Sequence, residues 1–374
     1  MLTLFQEMGP CRIKNDSSDV TLNPYSWNNN ANVMFIDQPI GTGFSHGPLK
    51  VHTSKEAASD VWDFMQIWMK DERFAHLQAN DLAIWTSSYG GHYGPAFAAF
   101  FLAQNDAIAA GSVDGLPLNL KVLGIGDGMT DPLRQYGSYA RYATENPYYR
   151  LVNDSVIETA NETWTRKGGC QEMINTCYAN GTDAECIDAQ LFCNENILRP
   201  LFGPYDVYYV LTVAPDPYPP NITDYIYSIA DTIGAEHDWQ ITNDDVGTNF
   251  QADWMRNSGL DLQTVIEAGV RTLIYVGDVD YILNYIGVEA QVDALNTTLS
   301  AAYHADDLAP YTVNGIETGL YKQVGDTEGI SLAFLRMYGA GHQVPAYGWN
   351  GLDIGQAALQ MFSQVMGGEG LKST

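Results

Sequence analysis

One stretch, Leu82-Ala83-Ile84-Trp85-Thr86-Ser87-Ser88-Tyr89-Gly90, decides the fold of this 374-residue chain. Its first four residues are apolar and typical of a buried strand, and the small-residue run that starts near Pro95 predicts a helix. A serine that follows a strand directly and precedes a helix is typical of a nucleophile elbow, a sharp turn that exposes the hydroxyl group. Ser88 is therefore the candidate nucleophile.

The elbow has one unusual residue and one competing serine. The positions two before and two after the nucleophile come together in this turn and are usually small. Gly90 meets that requirement, whereas Thr86 stands where a glycine is usual. Ser87 is a second nucleophile by residue type, but its neighbours are out of phase with the elbow. The pattern favours Ser88 over Ser87.

Alternating strands and helices around the elbow predict a mostly parallel sheet with crossover helices. Apolar runs that end in glycine-containing loops predict buried strands over residues 31–37, 120–125 and 271–276. A helical pattern follows Ser54, with an acidic residue in its first turn. The sheet is thus expected to begin close to the start of the chain.

The middle of the chain differs in composition from both ends. Aromatic residues, prolines, most of the N-x-[ST] sequons and a cysteine cluster concentrate in residues 133–262, and the alternation of strands and helices fades there. We interpret this part as a cap inserted into the sheet domain, whose two parts are residues 1–132 and 263–374. The alternative is a long irregular part of one domain.

A serine nucleophile needs a histidine base and a carboxylate that orients the histidine. In proteins with a nucleophile elbow, the acid and then the histidine follow the serine along the chain. His342 lies in a glycine-rich loop after the apolar run 331–337. Asp280 follows the strand predicted over 271–276, and Asp278 competes with it. His92 is a second histidine near the elbow, but its position on the following helix favours a packing or hydrogen-bonding role.

The formal net charge is −27 at pH 7, from 18 Lys and Arg against 45 Asp and Glu. Such a charge repels phosphate backbones and anionic lipid surfaces, so no nucleic-acid partner is expected. No run of about eighteen apolar residues predicts a membrane span. No metal ion or organic cofactor is expected either, because neither a metal-ligand cluster nor a dinucleotide fingerprint occurs.

Six N-x-[ST] sequons and five cysteines point to the secretory pathway and an oxidising compartment. The sequons begin at Asn15, Asn153, Asn161, Asn180, Asn221 and Asn296. The clustered cysteines are Cys170, Cys177, Cys186 and Cys193, and Cys11 stands apart. No metal-type C-x-x-C pair occurs among them, which favours disulfides over zinc. A secreted or vacuolar protein is expected, although the first residues show no signal peptide.

Six blocks of the sequence resemble, in order, the signature blocks of the serine carboxypeptidase family. They are Leu4-Phe5-Gln6-Glu7-Met8-Gly9-Pro10, Asn23-Pro24-Tyr25-Ser26-Trp27-Asn28, Ile36-Asp37-Gln38-Pro39-Ile40-Gly41-Thr42-Gly43-Phe44-Ser45, Ser88-Tyr89-Gly90-Gly91-His92-Tyr93, Gly277-Asp278-Val279-Asp280-Tyr281 and Gly341-His342. The blocks span nearly the whole chain. The resemblance implies an α/β-hydrolase fold with an inserted cap, from which the amino-terminal strands are missing.

The same resemblance implies roles for individual residues. The second aspartate of the Gly-Asp-x-Asp block, Asp280, would be the triad acid. The loop at Gly41 and Gly43 would form part of the active-site wall. The spacing of the clustered cysteines matches a nested pair in some members, which implies the disulfides Cys170–Cys193 and Cys177–Cys186.

Two departures from the family concern the oxyanion hole and the substrate carboxylate. An Asn-Gly-Gly-Pro-Gly loop that supplies one oxyanion donor in the family does not occur in this sequence, which leaves the backbone N–H of Tyr89 as the expected donor. Glu7 matches one of two acidic residues that hold a substrate carboxylate, whereas Ser87 replaces the other. The pH-dependent binding of a peptide's terminal carboxylate is therefore expected to be weaker, or to be replaced by other contacts.

The sequence therefore predicts a serine carboxypeptidase-like hydrolase that forms an acyl-enzyme on Ser88, with a peptide or small acyl substrate. Two alternatives remain open at this point. One is an esterase or acyltransferase that uses the same triad. The other is a catalytically impaired homologue that acts as a binding protein.

Overall fold

A six-stranded sheet forms the centre of the protein in the computed structural model, which describes residues 1–179, 181–213, 222–325 and 331–374. The strands are β1 (Cys11–Ile13), β2 (Val20–Leu22), β3 (Leu82–Ser88), β4 (Leu120–Gly128), β5 (Arg271–Gly277), β6 (Ala309–Val313), β7 (Ile316–Gly325) and β8 (Ser331–Met337). The central sheet has the order β3-β4-β5-β8-β7-β6. Its first four strands are parallel, and β6 and β7 add an antiparallel hairpin. Strands β1 and β2 form a separate antiparallel pair.

Helices cover both faces of this sheet and fill the long connection between β4 and β5. They are α1 (Ser54–Lys70), α2 (Gly90–Ala109), α3 (Pro132–Glu145), α4 (Asp154–Thr165), α5 (Cys170–Tyr178), α6 (Asp183–Cys193), α7 (Arg199–Leu201), α8 (Ile222–Ile233), α9 (Asp244–Asn249), α10 (Gln251–Trp254), α11 (Gly259–Glu267), α12 (Tyr285–Asp293), α13 (Ser300–Ala305) and α14 (Gln356–Met366). No helix in the described part of the chain is both long enough and apolar enough to cross a lipid bilayer.

Side chains that alternate along the central strands are buried on both faces of the sheet. On β5, Ile274 packs into the core that contains α3, α11 and α12, whereas Leu273 and Tyr275 pack toward Phe362 of α14. Successive residues of a strand point to opposite faces, so a strand with helices on both sides is apolar throughout. This burial explains why apolar residues predominate in the middle of β4, β5 and β8.

The strand expected over residues 31–37 does not form. That run has no regular secondary structure, Met34 and Ile36 are exposed at alternate positions, and it pairs with no strand among the described residues. A β-strand is held by backbone hydrogen bonds to a neighbour. In the described part of the chain, β3 forms one edge of the sheet and β6 the other, and the 31–37 run does not pair with β3.

The elbow strand and helix meet more closely than the sequence predicts. β3 runs on to Ser88, and α2 begins at Gly90 rather than near Pro95. Two adjacent glycines and a proline are weak helix formers, so the sequence places the start of the helix too late. Gly91 is required by packing, because a Cβ atom there would lie 2.4 Å from the backbone nitrogen of Met129 at the end of β4.

Helices alone make up the regular structure between β4 and β5 in the described chain. The disulfides Cys170–Cys193 and Cys177–Cys186 join α5 to α6 and are the same pairs that the family resemblance implies. The predicted domain boundaries at residues 133 and 262 fall inside α3 and α11. The division into core and cap stays a prediction.

Candidate active site

Ser88 ends β3 in a left-handed backbone conformation with φ of 60°. A serine adopts this conformation at a cost of about 1 kcal/mol or more, and such strain is typical of functional sites. The backbone is held there because the carbonyl oxygen of Ser88 accepts a hydrogen bond of 3.0 Å from the N–H of Met129. The turn therefore presents the Ser88 side chain at the carboxyl end of the strand.

The unusual Thr86 is accommodated by two glycines on α2. A Cβ atom at Gly90 would lie 2.4 Å from the Cβ of Thr86, and a Cβ atom at Gly94 would lie 2.8 Å from its hydroxyl oxygen. That hydroxyl donates a hydrogen bond of 2.9 Å to the carbonyl oxygen of Gly90. The glycines on the helix thus leave room for the larger Thr86 side chain on the strand.

His342 and Asp280 are in direct contact. Nδ1–H of His342 donates to Oδ2 of Asp280 over 2.8 Å. Asp280 is fully buried, and its Oδ1 accepts from the backbone N–H of Ile282 at 3.1 Å. Burial raises the pKa of Asp280, while the charge of His342 and the hydrogen bonds to the carboxylate oppose that rise. This contact fixes the imidazole tautomer, in which Nε2 is the basic nitrogen.

The competing Asp278 has different partners. Its Oδ1 accepts from the hydroxyl of Tyr148 at 2.7 Å and from the N–H of Gly339 at 2.8 Å. Its Oδ2 forms an ion pair of 3.3 Å with Arg336. Asp278 therefore braces the loop that leads to His342, and Asp280 is the aspartate that contacts the histidine.

Glycines allow the loops of Asp280 and His342 to approach each other. A Cβ atom at Gly277 would lie 2.3 Å from the carbonyl oxygen of Ala340, and one at Gly341 would lie 2.4 Å from that of Tyr208. The backbone N–H of His342 donates to the same Tyr208 oxygen over 3.0 Å. The Tyr208 ring packs on the imidazole with ring centroids 5.0 Å apart.

Residues 207–210 also bind the Asp280 loop. The N–H of Tyr281 donates to the carbonyl oxygen of Val207 over 3.1 Å, and the N–H of Val210 donates to that of Val279 over 3.1 Å. This segment, which we call the bracing segment, belongs to the part of the chain predicted to be the cap. It therefore holds both halves of the Asp280–His342 pair through backbone hydrogen bonds.

Ser88 shares one edge of the sheet with this pair. β3, β5 and β8 belong to the parallel part of the sheet, so their carboxyl ends lie at the same edge. Ser88 ends β3, Asp280 follows β5 and His342 follows β8. The three residues predicted as a triad thus occupy the edge at which ligands bind in open α/β sheets.

Asp127 is a functional candidate that the sequence did not single out. It is the second-last residue of β4, has a left-handed backbone conformation with φ of 42° and is fully buried. Its Oδ1 accepts from the N–H of Gly277 at 2.9 Å. No other group donates to its Oδ2 among the described residues, but a proton on Asp127 allows a hydrogen bond between the Asp127 and Asp280 carboxyl groups. Polar atoms of Asp127, Asp280 and His342 lie within 4.8 Å of one another. Burial and the neighbouring Asp280 raise the pKa of Asp127 well above its usual value.

Glu7 lies buried near the same cluster, with only 4 % of its surface exposed. Burial raises the pKa of Glu7 to about 7, and the nearby charge of His342 opposes that rise. The hydroxyl of Thr3 donates to Oε1 of Glu7 over 3.4 Å. Ser87, the other residue predicted to face a substrate carboxylate, is half-buried next to Ser88.

Tyr89, the predicted oxyanion donor, immediately precedes α2, where the first backbone N–H groups have no acceptor within the helix. Its side chain points elsewhere, because its hydroxyl donates to Oδ2 of Asp253 over 2.6 Å. His92 is fully buried. Its Nδ1 accepts from the hydroxyl of Ser258 at 2.6 Å and its Nε2–H donates to the carbonyl of Trp254 at 3.2 Å.

Other predicted residues lie away from the sheet edge. Four sequon asparagines are exposed, and Asn180 and Asn221 lie outside the described residues; the exposed ones are Asn15, Asn153, Asn161 and Asn296. Cys11 is a free, half-buried thiol on β1. Two groups of described residues bring together donor atoms suited to a metal ion: the buried Asp127, Asp280 and His342, and the exposed His46, Glu236 and His237.

Known proteins are similar to this chain over nearly its whole length. A family model described as serine carboxypeptidase matches residues 1–368. The chain is 36 % identical over 381 residues to Carboxypeptidase S1 of Penicillium janthinellum, which covers 100 % of this chain and 86 % of the relative. It is 34 % identical over 383 residues to Carboxypeptidase Y of Schizosaccharomyces pombe, covering 98 % of this chain and 36 % of the relative.

A solved structure is similar in fold. It is the crystal structure of Kex1(delta)p, a prohormone-processing carboxypeptidase from Saccharomyces cerevisiae, with a TM-score of 0.78 and 25 % sequence identity. The match covers 98 % of this chain and 80 % of that chain. The mostly parallel sheet and this likeness define an α/β-hydrolase.

Within that class, the chain belongs to the serine carboxypeptidase family. Family membership makes it a serine-type hydrolase with peptides as its substrate class, and it fits the secretory pathway. These two relatives and the solved structure are all named carboxypeptidases, so neither the esterase or acyltransferase alternative nor the binding-only alternative is favoured. The chain spans 86 % of the first relative's length but 36 % of the second's.

Proposed function

We propose that this chain releases C-terminal residues from peptides through an acyl-enzyme on Ser88. In the proposed reaction, the Ser88 hydroxyl attacks the scissile carbonyl carbon while Nε2 of His342 takes its proton and then delivers it to the leaving amine. Asp280 accepts from Nδ1–H and stabilises the imidazolium that forms. Water then attacks the carbonyl carbon of the acyl-enzyme while Nε2 of His342 takes its proton. His342 returns that proton to the oxygen of Ser88 as the acyl bond breaks, and the shortened peptide is released. The 2.8 Å contact between His342 and Asp280 at the sheet edge that Ser88 shares is the observation that carries this proposal.

The backbone N–H of Tyr89 is the proposed donor to the oxyanion. It follows the nucleophile at the start of α2, where unpaired N–H groups and the helix dipole favour negative charge. Such a donor acts in the transition state, when the carbonyl oxygen becomes negative, rather than in the bound substrate.

Glu7 and Ser87 are the proposed contacts for the substrate's terminal carboxylate. Because burial raises the pKa of Glu7 to about 7, Glu7 is protonated in mildly acidic solution and can donate a hydrogen bond to a carboxylate. Ser87 would add a neutral hydroxyl donor. Binding of a free peptide terminus is therefore expected to weaken as the pH rises through about 7.

Two further assignments belong to the same proposal. Residues 133–262 would act as a cap on the core formed by residues 1–132 and 263–374, since the bracing segment lies against the His342 loop. Secretion or delivery to a vacuole would account for the exposed sequons and for two disulfides, which persist in oxidising compartments.

Replacement of Ser88 tests the reaction. Ser88→Ala should lower kcat/KM for a blocked dipeptide at pH 5 by about 10⁴-fold or more, because the attacking oxygen is lost. It should also abolish labelling by a fluorophosphonate. Ser87→Ala is the matched control, which removes the neighbouring hydroxyl and should keep the labelling.

The substrate class is tested in the same preparation. The blocked dipeptide and the corresponding ester are compared at pH 5, and release of the C-terminal amino acid is the expected dominant activity. Turnover of the ester without turnover of the peptide would contradict the peptidase assignment, and full activity of Ser88→Ala would contradict the nucleophile.

A further inference from the structure

Three exposed side chains from two distant parts of the sequence meet on the surface. One nitrogen from each of His46 and His237 and a carboxylate oxygen of Glu236 lie within 4.8 Å of one another. The two imidazole rings are in contact, with centroids 3.7 Å apart. None of these residues belongs to the proposed reaction, and the sequence alone suggested no metal site because the two histidines share no local motif.

The tautomer of His46 is set by its own backbone. Nδ1 of its ring lies 3.2 Å from the carbonyl oxygen of Phe44, which can only accept a hydrogen bond, so Nδ1 carries the proton. Nε2 of His46 then carries the lone pair. Metal-binding histidines are usually oriented in this way, with the second ring nitrogen donating to a carbonyl or carboxylate group.

The loops that carry the three residues are tied together by backbone hydrogen bonds. The N–H of Gly43 donates to the carbonyl of Gln240 over 2.8 Å, and the N–H of Gln240 donates to the carbonyl of Gly43 over 3.1 Å. Nearby, Nδ2 of Asn243 donates to the carbonyl of Gly41 over 2.8 Å. The donor groups are therefore held on opposed backbone segments rather than on two independent loops.

We propose that His46, Glu236 and His237 bind a divalent transition-metal ion, with Zn²⁺ as the best fit. Two imidazoles and one carboxylate are a ligand set that Zn²⁺ uses, with a fourth position open to water. Ca²⁺ and Mg²⁺ prefer oxygen ligands and do not match this set. The bound ion would join the loop at Gly43 to the segment that follows α8.

Titration of untagged, metal-stripped protein with Zn²⁺ at pH 7 tests this proposal, and calorimetry measures the affinity without depending on catalysis. The unmodified protein should bind one Zn²⁺ at this site and show a higher Tm in its presence. His46→Ala and His237→Ala should each weaken Zn²⁺ binding. Loss of a residue that only hydrogen-bonds to a metal ligand costs roughly 10–100-fold in affinity, so loss of the ligand itself should cost at least as much. Both side chains are exposed, so both variants should fold, which circular dichroism checks.

Two controls separate a built site from general attraction to an acidic protein. His76→Ala removes an exposed histidine outside the group and should leave the Zn²⁺ affinity unchanged. Ca²⁺, which the charge of −27 would also attract, should not compete for the site. Equal Zn²⁺ affinity in His46→Ala, His237→Ala and the unmodified protein, or displacement of Zn²⁺ by an equal concentration of Ca²⁺, would overturn the proposal.

Discussion

Asp127 and Asp280 are two buried carboxyl groups beside one imidazole. Two such groups cannot both ionise cheaply at this distance, so one stays protonated. Asp280 contacts His342 and is the better candidate for the charge, which leaves Asp127 as the neutral partner. Asp127 would then act as a positioning residue, through Asp280 rather than on the substrate.

Substitution of Asp127 tests this division of charge. Asp127→Asn keeps an acceptor for the N–H of Gly277 and places an amide where the protonated oxygen lies, so kcat/KM at pH 5 should be nearly retained. Asp127→Ala leaves that buried N–H without its acceptor and should cost about 1–3 kcal/mol in the free energy of unfolding, measured with urea. The pH dependence of kcat/KM separates the charge of Asp127 from its structural contact with Gly277. Only the unmodified protein can place a second negative charge beside Asp280 at high pH. An Asn variant as impaired as the Ala variant would contradict the neutral assignment.

Glu7 gives a second prediction at the same scale. Burial raises its folded-state pKa from 4.5 to about 7, so between these pH values the folded state holds a proton that the unfolded state has lost. Stability from this residue is therefore full below pH 4.5 and is lost as the pH rises through about 7. The difference in free energy of unfolding between Glu7→Gln and the unmodified protein should change by about 3 kcal/mol between pH 4.5 and 8. A difference that does not vary with pH would show that Glu7 titrates normally.

Residue types and their order were enough to predict a triad of Ser88, His342 and either Asp278 or Asp280, which stays a prediction. The choice between the two aspartates needed either the family resemblance or the structure, because both follow the same strand. Asp127 escaped notice because a Gly-Asp-Gly run is typical of an ordinary strand end. Its role depends on burial and on neighbours from β5 and β8, which a sequence does not display.

At the scale of elements, the contact between β3 and α2 explains how Thr86 is tolerated. Gly90→Ala would place a Cβ atom 2.4 Å from the Cβ of Thr86, so it should cost about 1–3 kcal/mol in the free energy of unfolding. Thr86→Gly removes the clash, and the double variant should recover part of the loss. Urea unfolding of both single variants and the double variant gives the coupling energy. Strict additivity would contradict this account of the elbow.

Predictions of elements were best where burial is complete. β8 occupies residues 331–337 as its apolar run indicates, and β4 and β5 extend only slightly beyond their predicted ends. The prediction of a strand over residues 31–37 was wrong, because an apolar, β-branched segment still needs a neighbouring strand to pair with. The predicted start of α2 was too late, because close packing against Met129 outweighs the poor helix propensity of glycine.

At the scale of the whole molecule, the net charge of −27 dominates the response to salt. Repulsion among carboxylates destabilises the compact state at neutral pH, and salt screens it. The Tm should therefore rise between 0.01 M and about 0.5 M sodium chloride at pH 7, whereas the rise should shrink near pH 4, where carboxylates are half-protonated. Differential scanning calorimetry at both pH values checks this. A salt effect of equal size at pH 4 would assign it to something other than charge repulsion.

The α/β-hydrolase fold followed from a small number of sequence blocks, because their order matches the order of the family's signature blocks along the chain. The nested disulfides also agree with the structure. The helical connection between β4 and β5 could not be predicted in detail, since many of its helices are short and are held by contacts with one another rather than by strong periodic patterns. The β6–β7 hairpin was likewise not anticipated.

The bracing segment makes the His342 loop dependent on a stretch of chain that belongs to neither β5 nor β8, the strands that precede Asp280 and His342. A single peptide-bond cleavage within residues 207–210 would free the backbone carbonyls that hold Tyr281 and His342, while the disulfides and the central sheet stay intact. A nicked molecule of this kind would keep its secondary structure and lose its activity. The same dependence limits the exchange of this connection between relatives, because a grafted connection would function only if it restored those carbonyl acceptors at the same positions.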